Sequence, residues 1–184
     1  MKRPVAYVSF LLVLGWALPA AAQLDPAFGG TYRYAGGDGQ RSAFARAVET
    51  VVEQMNVVIR GIARQRITAR VKIQPRMAFR RQGDDLLIVH EPLPPRATKL
   101  DGTALPMTND AGDRIVVTYT HSGRAIIETI RSGRSSQRNT YRFSPEGDRL
   151  TFTAEIQSPM LPAVIHYSLT YRRVLEPGAV AVLE

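Results

Sequence analysis

From Ile67 to Arg172 the apolar residues of this chain recur with a period of two, in short segments separated by turn residues. That pattern constrains the fold more than any other feature. Arg66–Ile73, Arg76–Arg81, Leu86–His90, Ile115–His121, Ala125–Arg131, Asn139–Phe143, Leu150–Gln157 and Val164–Arg172 are predicted strands. Their separators carry hairpin chemistry: Gly83-Asp84-Asp85, Ser122-Gly123-Arg124, Ser132-Gly133-Arg134 and Pro145-Glu146-Gly147-Asp148. Connections this short force antiparallel neighbours, because parallel strands need a long crossover.

Two of these segments show which side is buried. Leu150, Phe152, Ala154 and Ile156 share one face, with Thr151, Thr153, Glu155 and Gln157 on the other. Ile165, Tyr167, Leu169 and Tyr171 likewise oppose Val164, His166, Ser168 and Thr170. One-sided burial is the mark of an antiparallel sheet or barrel with a single apolar interior. The fold class expected is therefore mainly β, an antiparallel up-and-down meander forming a barrel or strongly curved sheet. Thr31–Tyr34, bracketed by glycines at 29, 30, 36 and 37, adds a strand before the helix.

Gln40–Arg64 has the helical period. Phe44, Val48, Val51, Met55, Val58 and Ile62 draw one apolar stripe, and Arg41, Glu49, Glu53, Asn56, Arg60 and Arg64 fall largely elsewhere. One long amphipathic helix over 40–64 would run roughly 35 Å, enough to close the mouth of a barrel. Asp38 is a plausible N-cap. Between Glu91 and Asp113 four prolines exclude long strands, although Thr98–Leu100 and Ala104–Met107 are expected to form a small hairpin about Asp101-Gly102. No second domain is visible.

The N-terminus reads as a secretory signal peptide. Lys2 and Arg3 precede an apolar run from Val5 to Leu18, Pro19 breaks it, and Ala20-Ala21-Ala22 suits cleavage before Gln23. The run is shorter than the ~20 residues of a membrane span, so no stable span is expected after cleavage. Loss of Met1–Ala22 leaves 162 of 184 residues as one domain, 23–184, and with Lys2 and Arg3 gone lowers the formal net charge from +8 to +6. The expected location is the periplasm of a Gram-negative bacterium, or outside the cell. Cysteine is absent, which excludes disulfides, thiolate metal sites and a diacylglycerol-modified cysteine anchor. A basic exported protein meets anionic envelope components, not nucleic acid.

Motifs for catalysis are missing: there is no G-x-S-x-G, H-E-x-x-H or P-loop. His90, His121 and His166 lie near the ends or outer faces of different predicted strands, and nothing aligns them for a metal. Glu128 is the one carboxylate in the apolar segment Ala125–Ile130, either a buried acid paired with arginine or an outward residue on a barrel wall. A basic run from Arg60 through Arg64, Arg70 and Lys72 supplies candidate contacts for an anionic group, with Arg70 and Lys72 expected on one strand face. Aromatic residues spread over the strands, Tyr32, Tyr119, Tyr141, Phe143, Tyr167 and Tyr171, are candidate lining for a ligand cavity. No catalytic residue, metal site or cofactor is expected.

Phe28-Gly29-Gly30-Thr31-Tyr32 resembles a loose G-x-W opening, Tyr171-Arg172-Arg173 ends the last strand, and Tyr141–Thr151 contains a strand, S-P-x-G, strand hairpin. In these features the chain resembles the lipocalin-like, or calycin, group of small antiparallel barrels found among exported bacterial domains. Tyrosine stands where that pattern has tryptophan, and the helix after the first strand departs from the lipocalin plan. A sheet wrapped around a helix is also similar to periplasmic lipoprotein carriers, whose half-barrel holds acyl chains. The resemblance implies non-enzymatic binding of a small apolar or amphiphilic ligand such as a lipid. The alternatives are a structural or interaction protein of the cell envelope with a filled core and basic outer face, and an enzyme without a recognisable motif.

Overall fold

Two-residue loops close the central hairpins as their sequences require. Gly123 and Gly133 take positive φ, 53° and 56°, in the two Ser-Gly-Arg turns, a conformation that costs glycine little. The computed structural model describes residues 28–109 and 112–175; the expected signal peptide, Met1–Ala22, lies outside the described residues. The element order is β1 (Gly30–Tyr34), α1 (Gly37–Glu53), α2 (Arg60–Arg70), β2 (Arg76–Gln82), β3 (Asp85–His90), β4 (Arg96–Thr98), β5 (Leu105–Thr108), β6 (Arg114–Ser122), β7 (Ala125–Ser132), β8 (Ser135–Phe143), β9 (Arg149–Gln157) and β10 (Ile165–Val174). These strands form one ten-stranded antiparallel sheet in the order β4-β3-β2-β1-β10-β9-β8-β7-β6-β5. The sheet is an up-and-down meander rolled into a half-barrel, its first and last strands joined through the β1–β10 pairing.

The alternation predicted for β9 and β10 holds. Leu150, Phe152, Ala154, Ile165, Tyr167, Leu169 and Tyr171 are buried, and His166 and Ser168 are exposed. Edge-to-face ring pairs knit the closed end of the core: Phe79 lies 5.4 Å from Tyr141 and 5.1 Å from Phe143, and Tyr32 lies 5.6 Å from Phe143. The Tyr32 hydroxyl donates to the Gly147 carbonyl at 2.9 Å, tying the S-P-x-G turn to β1. Gly30 is required beside it: its φ is +130°, and a Cβ there would sit 2.8 Å from Arg173 Nε.

The single helix expected over 40–64 is two. Helix α1 ends at Glu53, and Asn56 Oδ1 accepts the Val58 amide at 3.0 Å, a local bond that competes with helix propagation. Arg60 then folds back, donating to the Met55 and Glu53 carbonyls at 2.9 and 2.6 Å, which satisfies backbone acceptors left open at the end of α1. The salt bridge from Arg64 to Glu49 fastens the two helices together. Only the first half of the apolar stripe is core: Val48, Val51 and Val52 are buried, whereas Val58 and Ile62 are 81% and 56% exposed. The strand expected at 66–73 is also corrected, since α2 runs to Arg70. Its half-buried apolar positions are Ala63 and Ile67, followed by Val71 at its C-cap, and their spacing of four keeps one side of a helix inward. Arg70 therefore ends a helix and shares no strand face with Lys72.

The hairpin expected about Asp101-Gly102 does not form. β4 pairs with β3 and β5 with β6, so the two segments are opposite edges of the sheet. Each finds a longer neighbour to template its ladder than the other would provide. The chain between them is held by Gly102, whose amide donates to the Tyr119 carbonyl at 2.8 Å. No helix among the described residues is long and apolar enough to cross a membrane.

Candidate ligand-binding site

Strand register builds the site. Tyr119 of β6 stands opposite Glu128 of β7, Glu128 opposite Asn139 of β8, Asn139 opposite Ala154 of β9, and Ala154 opposite Tyr167 of β10. One inward row therefore crosses five strands with a carboxylate near its middle. Directly opposed side chains lie within reach of one another, and so do diagonal ones when long, which brings in Tyr141 two residues along β8.

Glu128 is 1% exposed, and its carboxylate is saturated. Tyr119 donates to Oε1 at 2.6 Å and Arg96 at 3.3 Å; Asn139 and Tyr141 donate to Oε2, each at 2.7 Å. A carboxylate offers about four lone-pair positions, and four donors fill them. Arg96 reaches Glu128 from β4, across the interior and over the gap between β4 and β5, so the ion pair ties the two halves of the rolled sheet together. Gln137 extends the network by donating to Asn139 Oδ1 at 3.0 Å. Of the two readings of Glu128, the buried acid paired with arginine is the one that forms.

Burial alone would raise the Glu128 carboxyl; the charge that His90 carries once protonated in acid, and the hydrogen bonds from Tyr119, Asn139 and Tyr141, outweigh it and hold the group below its ordinary range. The Tyr119 and Tyr141 hydroxyls are pushed up, first by burial and then by the Glu128 charge, so both remain donors at neutral pH. His90 is held below its ordinary value by burial, against the pull of Glu128. Its Nε2 lies 3.2 Å from the Tyr141 hydroxyl. Because that hydroxyl donates to Glu128, the contact is satisfied when neutral His90 carries its proton on Nε2 and donates to Tyr141.

Beside this network is a partly open cavity of about 170 Å³, between the inner face of the sheet and the chain leaving α2. Tyr141, Tyr167 and Tyr171 from the expected ligand set line it, as do Arg70 and Lys72 from the expected anion set. Phe44 of α1 packs edge-to-face on Tyr167 at 4.8 Å. Gln40 binds Thr170 through both ends of its amide, at 2.9 and 2.8 Å, so α1 is docked over β10. The Tyr171 hydroxyl is buried with no hydrogen-bond partner. Tyr32 and Phe143 belong to the aromatic core, and Tyr119 stands behind Glu128. Arg60 and Arg64 are spent on joining the helices, and Arg70 sits 3.7 Å from Asp113. A larger depression of about 250 Å³ lies elsewhere, beside exposed Arg33 and Arg41 and half-buried Tyr34.

Sequence reasoning missed Arg96 and Asn139, and it weighed His90 as a metal ligand against an ordinary histidine near a strand end, not as a partner of Tyr141. Asn139 had a readable signal: Gln137, Asn139, Tyr141 and Phe143 alternate along one strand face. Arg96, on a three-residue strand after a proline pair, had none. Among the described residues no cluster of His, Cys, Asp or Glu suits a metal ion. His121 and His166 are exposed on separate strands.

No family model matches the chain, and no curated protein matches it. Solved structures do. Fatty-acid-binding protein 1 of Echinococcus granulosus matches with a TM-score of 0.51 at 13% identity, over 81% of this chain and 98% of its own. A fatty-acid-binding protein of Schistosoma mansoni, in complex with arachidonic acid, matches with a TM-score of 0.50 at 11% identity, over 82% and 98%. An abundant heat-soluble (SAHS) protein of Ramazzottius varieornatus matches with a TM-score of 0.51 at 12% identity, over 82% and 98%. At these identities the likeness is one of fold, and the fold is the lipocalin-like, calycin-type half-barrel of ten antiparallel strands.

Proposed function

We propose that this protein is an exported, non-enzymatic binder of a small apolar or amphiphilic molecule of the lipid class, held inside the rolled sheet beneath α1 and α2. The observation that carries the reading is the cavity beside Glu128, walled by Met77, Leu93, Ile130 and Phe152 and by the rings of Tyr141, Tyr167 and Tyr171. Fatty-acid-binding proteins with this fold support the same reading. At about 170 Å³ the space is smaller than the ~300–1,000 Å³ of pockets for drug-sized ligands. The ligand is therefore short or slender, or it enters as α1 and α2 move outward.

Export rests on the Lys2-Arg3 n-region, the apolar run and the Ala20–Ala22 cleavage site. Native mass spectrometry of the protein purified without detergent tests the binding function. The expected result is a co-purifying mass, or an adduct on adding fatty alcohols, monoacylglycerols or fatty acids. A bare protein that takes up none of these probes refutes it. N-terminal sequencing of the periplasmic form is expected to start at Gln23.

A further inference from the structure

We infer that the ligand of this cavity is uncharged: an alcohol, ester, amide or aldehyde on a short hydrocarbon chain, and not a free carboxylate. This rests on the binding function proposed above and names its substrate class. The interior already contains a carboxylate of its own. Glu128 draws on Arg96, Tyr119, Asn139 and Tyr141 together, which is the kind of donor set a ligand carboxylate would need. A second carboxylate in the cavity would face that buried negative charge with its best donors already engaged. An ammonium group fares no better, because all four acceptor positions of Glu128 are filled and Arg96 stands beside them.

The other charges around the cavity give the same answer. Arg70 is paired with Asp113, Arg60 with backbone carbonyls and Arg64 with Glu49. Lys72 is exposed, where water solvates its ammonium. Neutral His90 contributes no charge at pH 7. What the cavity does offer is an apolar and aromatic wall, from Met77, Leu93, Ile130, Phe152 and the tyrosine rings, with the neutral amides of Gln74 and Gln137 beside it. That combination suits a neutral oxygen on a hydrocarbon chain.

The test compares 1-octanol with octanoate on the chain from Gln23 onward at pH 7, following backbone amide resonances around the cavity by NMR. The expected result is a Kd for octanol at least tenfold lower than for octanoate. Glu128→Gln removes the negative charge and frees Arg96, so the preference is expected to shrink at least fivefold, mainly through tighter octanoate binding. Lys72→Ala removes the exposed ammonium of the cavity wall: octanoate affinity is expected to change less than twofold, and a larger loss would show that a carboxylate is held there and overturn the inference even if Glu128→Gln fails to fold. Octanoate binding as tightly as octanol to the wild type overturns the inference while the binding function stands. So does a folded Glu128→Gln with an unchanged preference. If neither probe moves the cavity resonances, the binding function and the inference fall together.

Discussion

Replacing Glu128 by leucine keeps the volume of a fully buried side chain and removes the acceptor on which four donors converge. Tyr119, Asn139 and Tyr141 meet Glu128 in the buried interior, so each would keep a donor with no acceptor, and Arg96 would become an unpaired cation in a half-buried position. Breaking one side of a buried ion pair costs about 3–5 kcal/mol, and about 1–3 kcal/mol for each orphaned buried donor gives a sum at least as large. The recovered desolvation of the carboxylate offsets part of that, so a net loss of about 4 kcal/mol is expected. At ~2–4 °C per kcal/mol for a chain of this size, Tm falls by roughly 8–16 °C.

Glu128→Gln is expected to cost less. Its carbonyl still accepts from one side of the network, and its amide is accommodated if Tyr141 turns its hydroxyl to accept or Asn139 flips, the latter at the expense of the Gln137 bond. Thermal unfolding by circular dichroism, with urea titration to show an unchanged slope, measures both. A leucine variant melting within about 2 °C of wild type, or a glutamine variant less stable than the leucine one, would refute the assignment of the network as a fold-stabilising unit. The pH dependence supplies a second reading. The Glu128 carboxyl is depressed in the folded chain, so its contribution is present above the unfolded value of about 4.3 and is lost as pH falls through the lower folded value. Glu128→Gln lacks that acid step.

Two other predictions follow from groups around the cavity. His90 is also depressed by burial, so the unfolded chain takes up its proton first: wild-type stability should decline as pH falls below about 6.5, and His90→Gln should flatten that limb of a pH series of urea midpoints. A wild-type curve flat from pH 7 to 5 would show that His90 is free to charge in place. Tyr171→Phe removes only the unpartnered hydroxyl; stability, read from urea midpoints, should stay equal or rise by up to about 1 kcal/mol. A clear loss of stability in that variant would mean the hydroxyl has a protein partner in solution.

The meander was readable because a strand with one buried face writes its orientation into alternate residues, as Ile165 to Tyr171 does. Short Gly-containing turns then leave antiparallel pairing as the only connection. The helical segment was half readable. Its apolar spacing continues through Val58 and Ile62, and nothing in that spacing shows that Asn56 breaks the helix or that Arg60 caps its end. Periodicity reports which residues share a side, whereas a helix terminus depends on competition for a few backbone hydrogen bonds. Arg66–Ile73 misled for a related reason: Ile67, Val71 and Ile73 fit a spacing of two or of four, and the docking of α2 on the sheet made the choice.

For the candidate site, the sequence alone determined its materials: inward tyrosines, a lone carboxylate in an apolar strand, and no thiol. It determined their strand faces too, since side-chain alternation is local. Only the tertiary structure decided that Glu128 is buried, that its neighbours in register are Tyr119 and Asn139, and that Arg96 crosses from the far edge of the sheet to meet it. It also decided that Tyr171 is left without a partner. The Arg96–Glu128 pairing joins residues 32 positions apart, and it is set by how far the sheet rolls before its edges approach. That curvature is a property of all ten strands packed around one core, and no single segment of the chain encodes it.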